Sequence, residues 1–269
     1  MEHGTREPEH MPKINANGVP IYYRSLGHGD PVVLIHGLGG DHTSWVGPIQ
    51  TSLSPRHRLV LVDLRGHGRS GRAAATYTTD LFARDVQALL VHLRIGQASV
   101  IGISMGGAVA MAMAAAAPRL VRKLVLVDTW IRCDEAARAS FLEWSEASRE
   151  SRSVLQKIVL IRTATPEFVA ANPDFIRLFR RNWPTNHGPA FRKSVHACVE
   201  HDATPYLAKI EAPTLVMVGD RDILAPPPLS RQLARQVRGA RLVTVQGGGH
   251  VPWLDRPEAC VRVLKRFLQ

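Results

Sequence analysis

The stretch Gly102-Ile103-Ser104-Met105-Gly106 decides how this chain folds, because it sets a serine between two glycines where an apolar run gives way to an alanine-rich one. Ala98-Ser99-Val100-Ile101 reads as a short buried strand. Gly107 to Ala117, with Ala at seven of eleven positions, reads as a closely packed helix. A serine on such a strand-turn-helix is held in a strained backbone conformation with its hydroxyl clear of the sheet. The residues two positions either side must lack side chains for strand and helix to approach. Gly102 and Gly106 meet that need. A glycine-rich turn can also hold a serine by chance; the strand before and the helix after favour a nucleophile.

A serine hydroxyl is a weak nucleophile and needs a base, and the base needs a carboxylate to orient it. Downstream, Pro213 to Gly219 reads as a buried strand followed by Asp220-Arg221-Asp222-Ile223-Leu224-Ala225-Pro226, in which Asp222 is the candidate acid. Arg241 to Val245 reads as the last strand, and Gln246-Gly247-Gly248-Gly249-His250 as a glycine-rich loop that ends in the candidate base, His250. Charge developing on a carbonyl oxygen calls for preorganised backbone donors. The amide of Met105 is one candidate, and the amide of Leu38, on the loop after Pro31 to Ile35, is the other. His36 and Gly37 read as supports of that loop, with His36 as a second base the sharper alternative. A helix is expected from near Thr43.

These blocks resemble the α/β-hydrolase superfamily. The resemblance runs from about Ile21 to the C-terminus and rests on His36-Gly37-Leu38-Gly39-Gly40, Asp63-Leu64-Arg65-Gly66-His67-Gly68-Arg69-Ser70, the turn at Ser104, and Asp222 with His250. Within the superfamily the blocks resemble the small esterase and lactonase branch that includes 3-oxoadipate enol-lactonases and cofactor-free haloperoxidase-like esterases. The haloperoxidase-like enzymes carry Trp-Pro after the His-Gly where this chain has Leu38-Gly39, which argues against perhydrolysis. Relatives that open epoxides or cleave carbon-halogen bonds carry Asp where this chain has Ser104.

Other residues compete for roles. Asp128 ends the strand Lys123 to Val127, a position used for the acid in some relatives. Asp220 competes with Asp222, whose offset from the strand and following Pro226 favour it. Asp255 reads as part of a turn before the final helix, and Asp63 and His67 as a structural loop.

Strand and helix runs alternate through the first half, after a hairpin around Asn17-Gly18. The fold class expected is α/β: a mostly parallel eight-stranded sheet with helices on both faces. Residues 1–12 read as a loose tail, 13–129 and 207–269 as the core, and 130–206 as a helical cap after the sixth strand. In the cap, Asp134 to Arg149, Ser151 to Thr163 and His187 to His201 have helical spacing. A cap there lies over the carboxyl ends of the strands, where open α/β sheets bind ligands. Candidates for the pocket wall are Trp45, Trp130, Ile131, Trp183, Leu224 and Val251.

The net charge of +11 invites a nucleic-acid or membrane partner. However, Arg outnumbers Lys 28 to 6 and is dispersed, with no basic run interleaved with aromatics. Arg177, Arg180, Arg181 and Arg192 form a local exception that reads as a solvated face. Cys133, Cys198 and Cys260 are too few and scattered for a disulfide framework or metal site. The 12 histidines show no ligand spacing, so no metal or cofactor is expected. No signal-like or membrane-spanning run is read, and a cytoplasmic protein is expected. The resemblance and the residues together point to a serine hydrolase of small to medium esters or lactones. Hydrolysis of a carbon-carbon bond in ring-cleavage products, or a ligand receptor on the same fold, are the alternatives.

Overall fold

The protein is described here by a computed structural model covering residues 12–182 and 188–269, without the side chains of Arg180 and Asn182. The expected tail falls almost wholly outside that range, as does Trp183. The strands are β1 (Lys13–Ala16), β2 (Val19–Leu26), β3 (Asp30–Ile35), β4 (His57–Val62), β5 (Ala98–Ile103), β6 (Val121–Val127), β7 (Thr214–Gly219) and β8 (Arg241–Val245). They form one eight-stranded sheet in the order β1-β2-β4-β3-β5-β6-β7-β8. β1 and β2 pair antiparallel, β2 joins β4 antiparallel, and every pair from β4 to β8 is parallel. β5 and β7 are buried at every residue, as continuous Val, Ile and Leu runs are when helices cover both faces.

The helices are α1 (Pro48–Leu53), α2 (Thr79–His92), α3 (Met105–Ala116), α4 (Glu135–Glu150), α5 (Arg152–Thr163), α6 (Pro166–Ala171), α7 (Pro173–Asn182), α8 (Pro189–Val199), α9 (Pro227–Gln236), α10 (Pro252–Asp255) and α11 (Pro257–Leu268). On one face α2 and α3 bury Phe82, Val86, Leu89, Val109 and Met113 against Val33, Val60 and Val100. On the other, α1 and α11 bury Ile49, Leu53, Cys260 and Leu264 against Leu34, Leu61 and Ile101. The helix expected from Thr43 is split. A short 3-10 turn, His42–Trp45, is capped by Asp41, and α1 begins only after Gly47, whose φ of +104° no continuous helix admits.

Among the described residues five α-helices, α4 to α8, stand between β6 and β7, where the sequence breaks from strand-helix alternation. Asp134 and Ser151 do not enter α4 and α5 but cap them, accepting from the amides of Ala137 and Val154. The segment expected as a helix from His187 is helical from Pro189 to Val199. Among the described residues no helix is long and apolar enough to cross a membrane.

A buried Arg–Asp ion pair ties the loop after β4 and the turn of the N-terminal hairpin to α2. Arg65 donates to both carboxylate oxygens of Asp85 on α2, at 2.5 and 2.6 Å, and Asn17 donates to the same carboxylate at 2.8 Å. Both charges are almost fully buried. Removing one leaves the other unpaired in a low dielectric, which costs about 3–5 kcal/mol. Asp85→Ala is expected to lose that much in urea unfolding, and a loss below about 1 kcal/mol would show that the pair behaves like a solvated one.

Candidate active site

Ser104 sits on the turn between β5 and α3 with φ +54° and ψ −122°, a conformation that costs a non-glycine residue roughly 1–3 kcal/mol. Its neighbours hold it there. The Ser104 amide donates to Val127 O at 2.9 Å, and its carbonyl accepts from Gly107 N, Ala108 N and the Thr129 hydroxyl. The glycines at 102 and 106 are obligatory: a Cβ on Gly102 would lie 2.1 Å from Gly106 O, and one on Gly106 would lie 2.1 Å from Ile35 O. Strand, turn and helix therefore approach backbone to backbone.

Asp222 and His250 come together from different loops. β7 and β8 are parallel neighbours, so their carboxyl ends face the same way as that of β5. Gly219 lets the histidine loop cross close by, since a Cβ there would stand 2.3 Å from the carbonyls of Gly248 and Gly249. Asp222 Oδ1 accepts from the amides of Leu224 and Ala225 at 2.8 and 3.1 Å, and Oδ2 accepts from His250 Nδ1 at 2.8 Å. A carboxylate acceptor puts the imidazole proton on Nδ1 and leaves Nε2 with its lone pair. Burial works to raise the Asp222 carboxyl, but His250, Asp128 and the Ala225 amide hold it below its ordinary value. Asp220 is engaged elsewhere, accepting from Gly247 N at 2.6 Å, and Asp128 makes no bond to His250. No hydrogen bond joins Ser104 to His250.

The loop after β3 meets the turn directly. A Cβ on Gly37 would lie 3.3 Å from Ser104 Cβ and 3.8 Å from its Oγ. The amides of Leu38 and Met105 donate to no protein acceptor, which for Met105 follows from its place in the first turn of α3. His36 is spoken for at both nitrogens: Nδ1 donates to Gly37 O at 2.7 Å and Nε2 accepts from Leu64 N at 3.1 Å. Burial lowers its pKa, so it is a neutral support of the loop rather than a second base. Burial also lowers His67, to about 3.

Among the described residues one group could be considered for a metal: Asp41, His42 and Asp63 offer ligand atoms within 4.8 Å of one another. Those atoms are already committed to the chain. Asp63 accepts from His42 N, His42 Nδ1 and Arg69 N, while Asp41 accepts from Thr43 N and Oγ1.

Of the expected pocket residues, Trp45 stacks on Trp253 at 4.8 Å and packs with Leu34 and Ile103 in the core below the sheet. That is a core position, taken because Trp253, far along the chain, supplies a flat partner. Trp130 and Ile131 follow Thr129 at the end of β6 and are buried, Trp130 against Phe141 at 5.3 Å. Leu224 is buried in the acid loop, and Val251 is half-buried next to His250. Arg177 pairs with Asp174, which agrees with a solvated face.

Three supports escaped sequence reasoning. Thr129 clamps the Ser104 carbonyl. Thr165, the N-cap of α6, donates to Asp255 Oδ1, and Asp255 Oδ2 accepts from Gly249 N at 2.9 Å. Val251 N donates to Thr163 O at 3.3 Å, so both flanks of His250 are pinned, one through Asp255 and one by the end of α5. The spacing of Asp255 five residues after His250 was the available signal.

The alpha/beta hydrolase fold family matches residues 30–257. The enol-lactonase from Burkholderia xenovorans LB400 superposes with a TM-score of 0.90 at 28% identity, covering 96% of this chain and 99% of that one. A thermophilic esterase from Thermogutta terrifontis, solved with malate bound, gives 0.86 at 26% identity, covering 96% and 97%. In sequence, the pyrrolizixenacetamide deacetylase of Xenorhabdus hominickii is 26% identical, covering 96% of this chain and 98% of that protein.

The clasp around His250 makes a testable demand. Asp255→Ala leaves the buried Gly249 amide and the Thr165 hydroxyl without their acceptor, an expected loss of about 1–3 kcal/mol by denaturant unfolding. Asp255→Asn, which can serve both groups through Oδ1 and Nδ2, is expected to recover at least half of it; equal losses in the two variants would mean that the clasp is not what Asp255 contributes.

Proposed function

We propose, since the chain belongs to the alpha/beta hydrolase fold family, that it is a cofactor-free serine hydrolase of small to medium carboxylic esters or lactones. The observation that carries this reading is the Asp222–His250 hydrogen bond, at 2.8 Å and almost fully buried, formed at the same end of the parallel sheet as a serine held at positive φ. With the imidazole proton on Nδ1, Nε2 is the base that takes the Ser104 proton as Oγ attacks the carbonyl carbon. The unengaged amides of Leu38 and Met105 would receive the tetrahedral oxyanion. Collapse expels the alcohol, which His250 protonates, and water then enters by the same route in reverse to release the acid. The lactonase and esterase neighbours support ester and lactone substrates. The helices α4 to α8 would act as the cap over this chemistry, with Trp130, Ile131, Leu224 and Val251 as the described candidates for the pocket wall.

Steady-state hydrolysis of p-nitrophenyl acetate, butyrate and octanoate, with a simple lactone and a p-nitroanilide amide alongside, tests the reading. Ser104→Ala is expected to lower kcat by about 10³–10⁶-fold with its fold intact by circular dichroism. A wild type active on the esters and a Ser104→Ala variant within tenfold of it would sink the serine mechanism. A wild type that cleaves only the amide would move the substrate class to amides.

A further inference from the structure

Asp128 is the buried carboxyl that the proposed triad leaves unused, and it is the more conspicuous for being strained. It directly follows β6 at φ +45°, one of four non-glycine residues with positive φ among those described, Ser104 being another. Its amide donates to Met217 O at 2.9 Å and its Oδ1 accepts from Gly219 N at 2.9 Å, so it is locked to β7 just before the loop that carries Asp222. Oδ2 is buried and no donor is directed at it. What does stand beside Asp128 is the carboxylate of Asp222.

Two carboxyl groups in contact in a buried site do not both ionise. Asp222 has the support that a charge needs: two amides on Oδ1 and an imidazole on Oδ2. Asp128 has a single amide. Burial, and then the charge of Asp222, pushes the Asp128 carboxyl well above its ordinary value, in the direction opposite to Asp222. The other titratable group near Asp128 among the described residues is Cys260, from α11, whose thiol burial raises to about 12, so that it stays neutral and adds no charge of its own. His250 bonds Asp222 at Oδ2 and makes no bond to Asp128.

We infer that Asp128 is a neutral positioning residue, its Oδ2 protonated and donating to Asp222, so that the triad acid is held from behind while its other side faces His250. This rests on the reading of Asp222 as the acid of a serine triad. The strain at Asp128 then has a use: the left-handed turn directs the carboxyl across β7 toward the acid loop. A donor behind Asp222 also keeps that carboxylate from turning away from the imidazole, or from pairing with a passing cation of the substrate.

The rate of inactivation by paraoxon, followed by p-nitrophenol release across pH in wild type, Asp128→Asn, Asp128→Ala and Asp222→Asn, tests the inference without knowledge of the natural substrate. Asn keeps both bonds, accepting from Gly219 through Oδ1 and donating to Asp222 through Nδ2. Its acid limb is expected to coincide with that of wild type, with a rate lower by no more than a few-fold. Asp128→Ala is expected to lose about tenfold or more and to move the limb to higher pH, because an unsupported Asp222 binds the imidazolium more tightly. An acid limb in Asp128→Asn displaced about one unit to lower pH would show that a negative charge had been removed, and would overturn a neutral Asp128. If Asp128→Ala matched wild type in rate and limb and lost only melting temperature, the residue would be structural and the inference wrong. Should the Ala variant fail to fold, the direction of the Asn limb decides alone. A wild type that paraoxon leaves active, or an Asp222→Asn variant that reacts as fast as wild type, would instead strike down the triad reading, and this inference with it.

Discussion

Backbone-to-backbone approach at the carboxyl ends of the central strands is the constraint on which the rest depends. The turn at Ser104 exists only because Gly102, Gly106 and the end of β3 touch without side chains, and the histidine loop reaches Asp222 only because Gly219 lets it pass. The strain at Ser104 is offset by four hydrogen bonds to its own backbone groups, one of them from Thr129 across the β5–β6 boundary. A strained serine is thus a property of the sheet rather than of a local turn.

The charges buried around this frame follow one rule: each has its partners within reach. Asp222 is met by an imidazole and two amides, Asp63 by His42 and the Arg69 amide, and Asp85 by Arg65 and Asn17. Burial would raise Asp63 as it would Asp222, and in both the donors reverse the effect. His36, His67 and His201, by contrast, are buried without a carboxylate partner bonded to the ring, and burial lowers all three. His250 and His42 are the buried histidines of the described residues whose rings bond a carboxylate, Asp222 and Asp63 respectively.

Much of this was legible in the chain, and the division follows the range of the interactions. The sheet, the turn at Ser104, Asp222 and His250 could be read because each lies in a local pattern: an apolar run, then a glycine-bearing loop at a fixed offset. The boundaries of α4 and α5 were readable to within a residue because Asp134 and Ser151 act through neighbouring amides. Asp255 and Thr165 were opaque as partners because 90 residues separate them, and nothing near either predicts the other. The core seat of Trp45 was opaque for the same reason, its stacking partner Trp253 lying in α10. The break in the helix expected from near Thr43 was foreseeable in Gly47-Pro48, since a glycine at φ +104° followed by proline starts a new helix. Asp128 was visible as a strand-end acid, yet its bond to Gly219 rather than to His250 is set by strand order, which no single segment encodes.

Trapping the covalent intermediate tests the central claim most directly. Wild-type protein turning over p-nitrophenyl acetate, quenched in acid and mapped by peptide mass spectrometry, is predicted to carry a single acetyl group on Ser104, and the Ser104→Ala protein none. Turnover without any acetyl group on Ser104, or an acetyl group that persists in the Ser104→Ala protein at the same occupancy, would contradict an acyl-enzyme built on this turn.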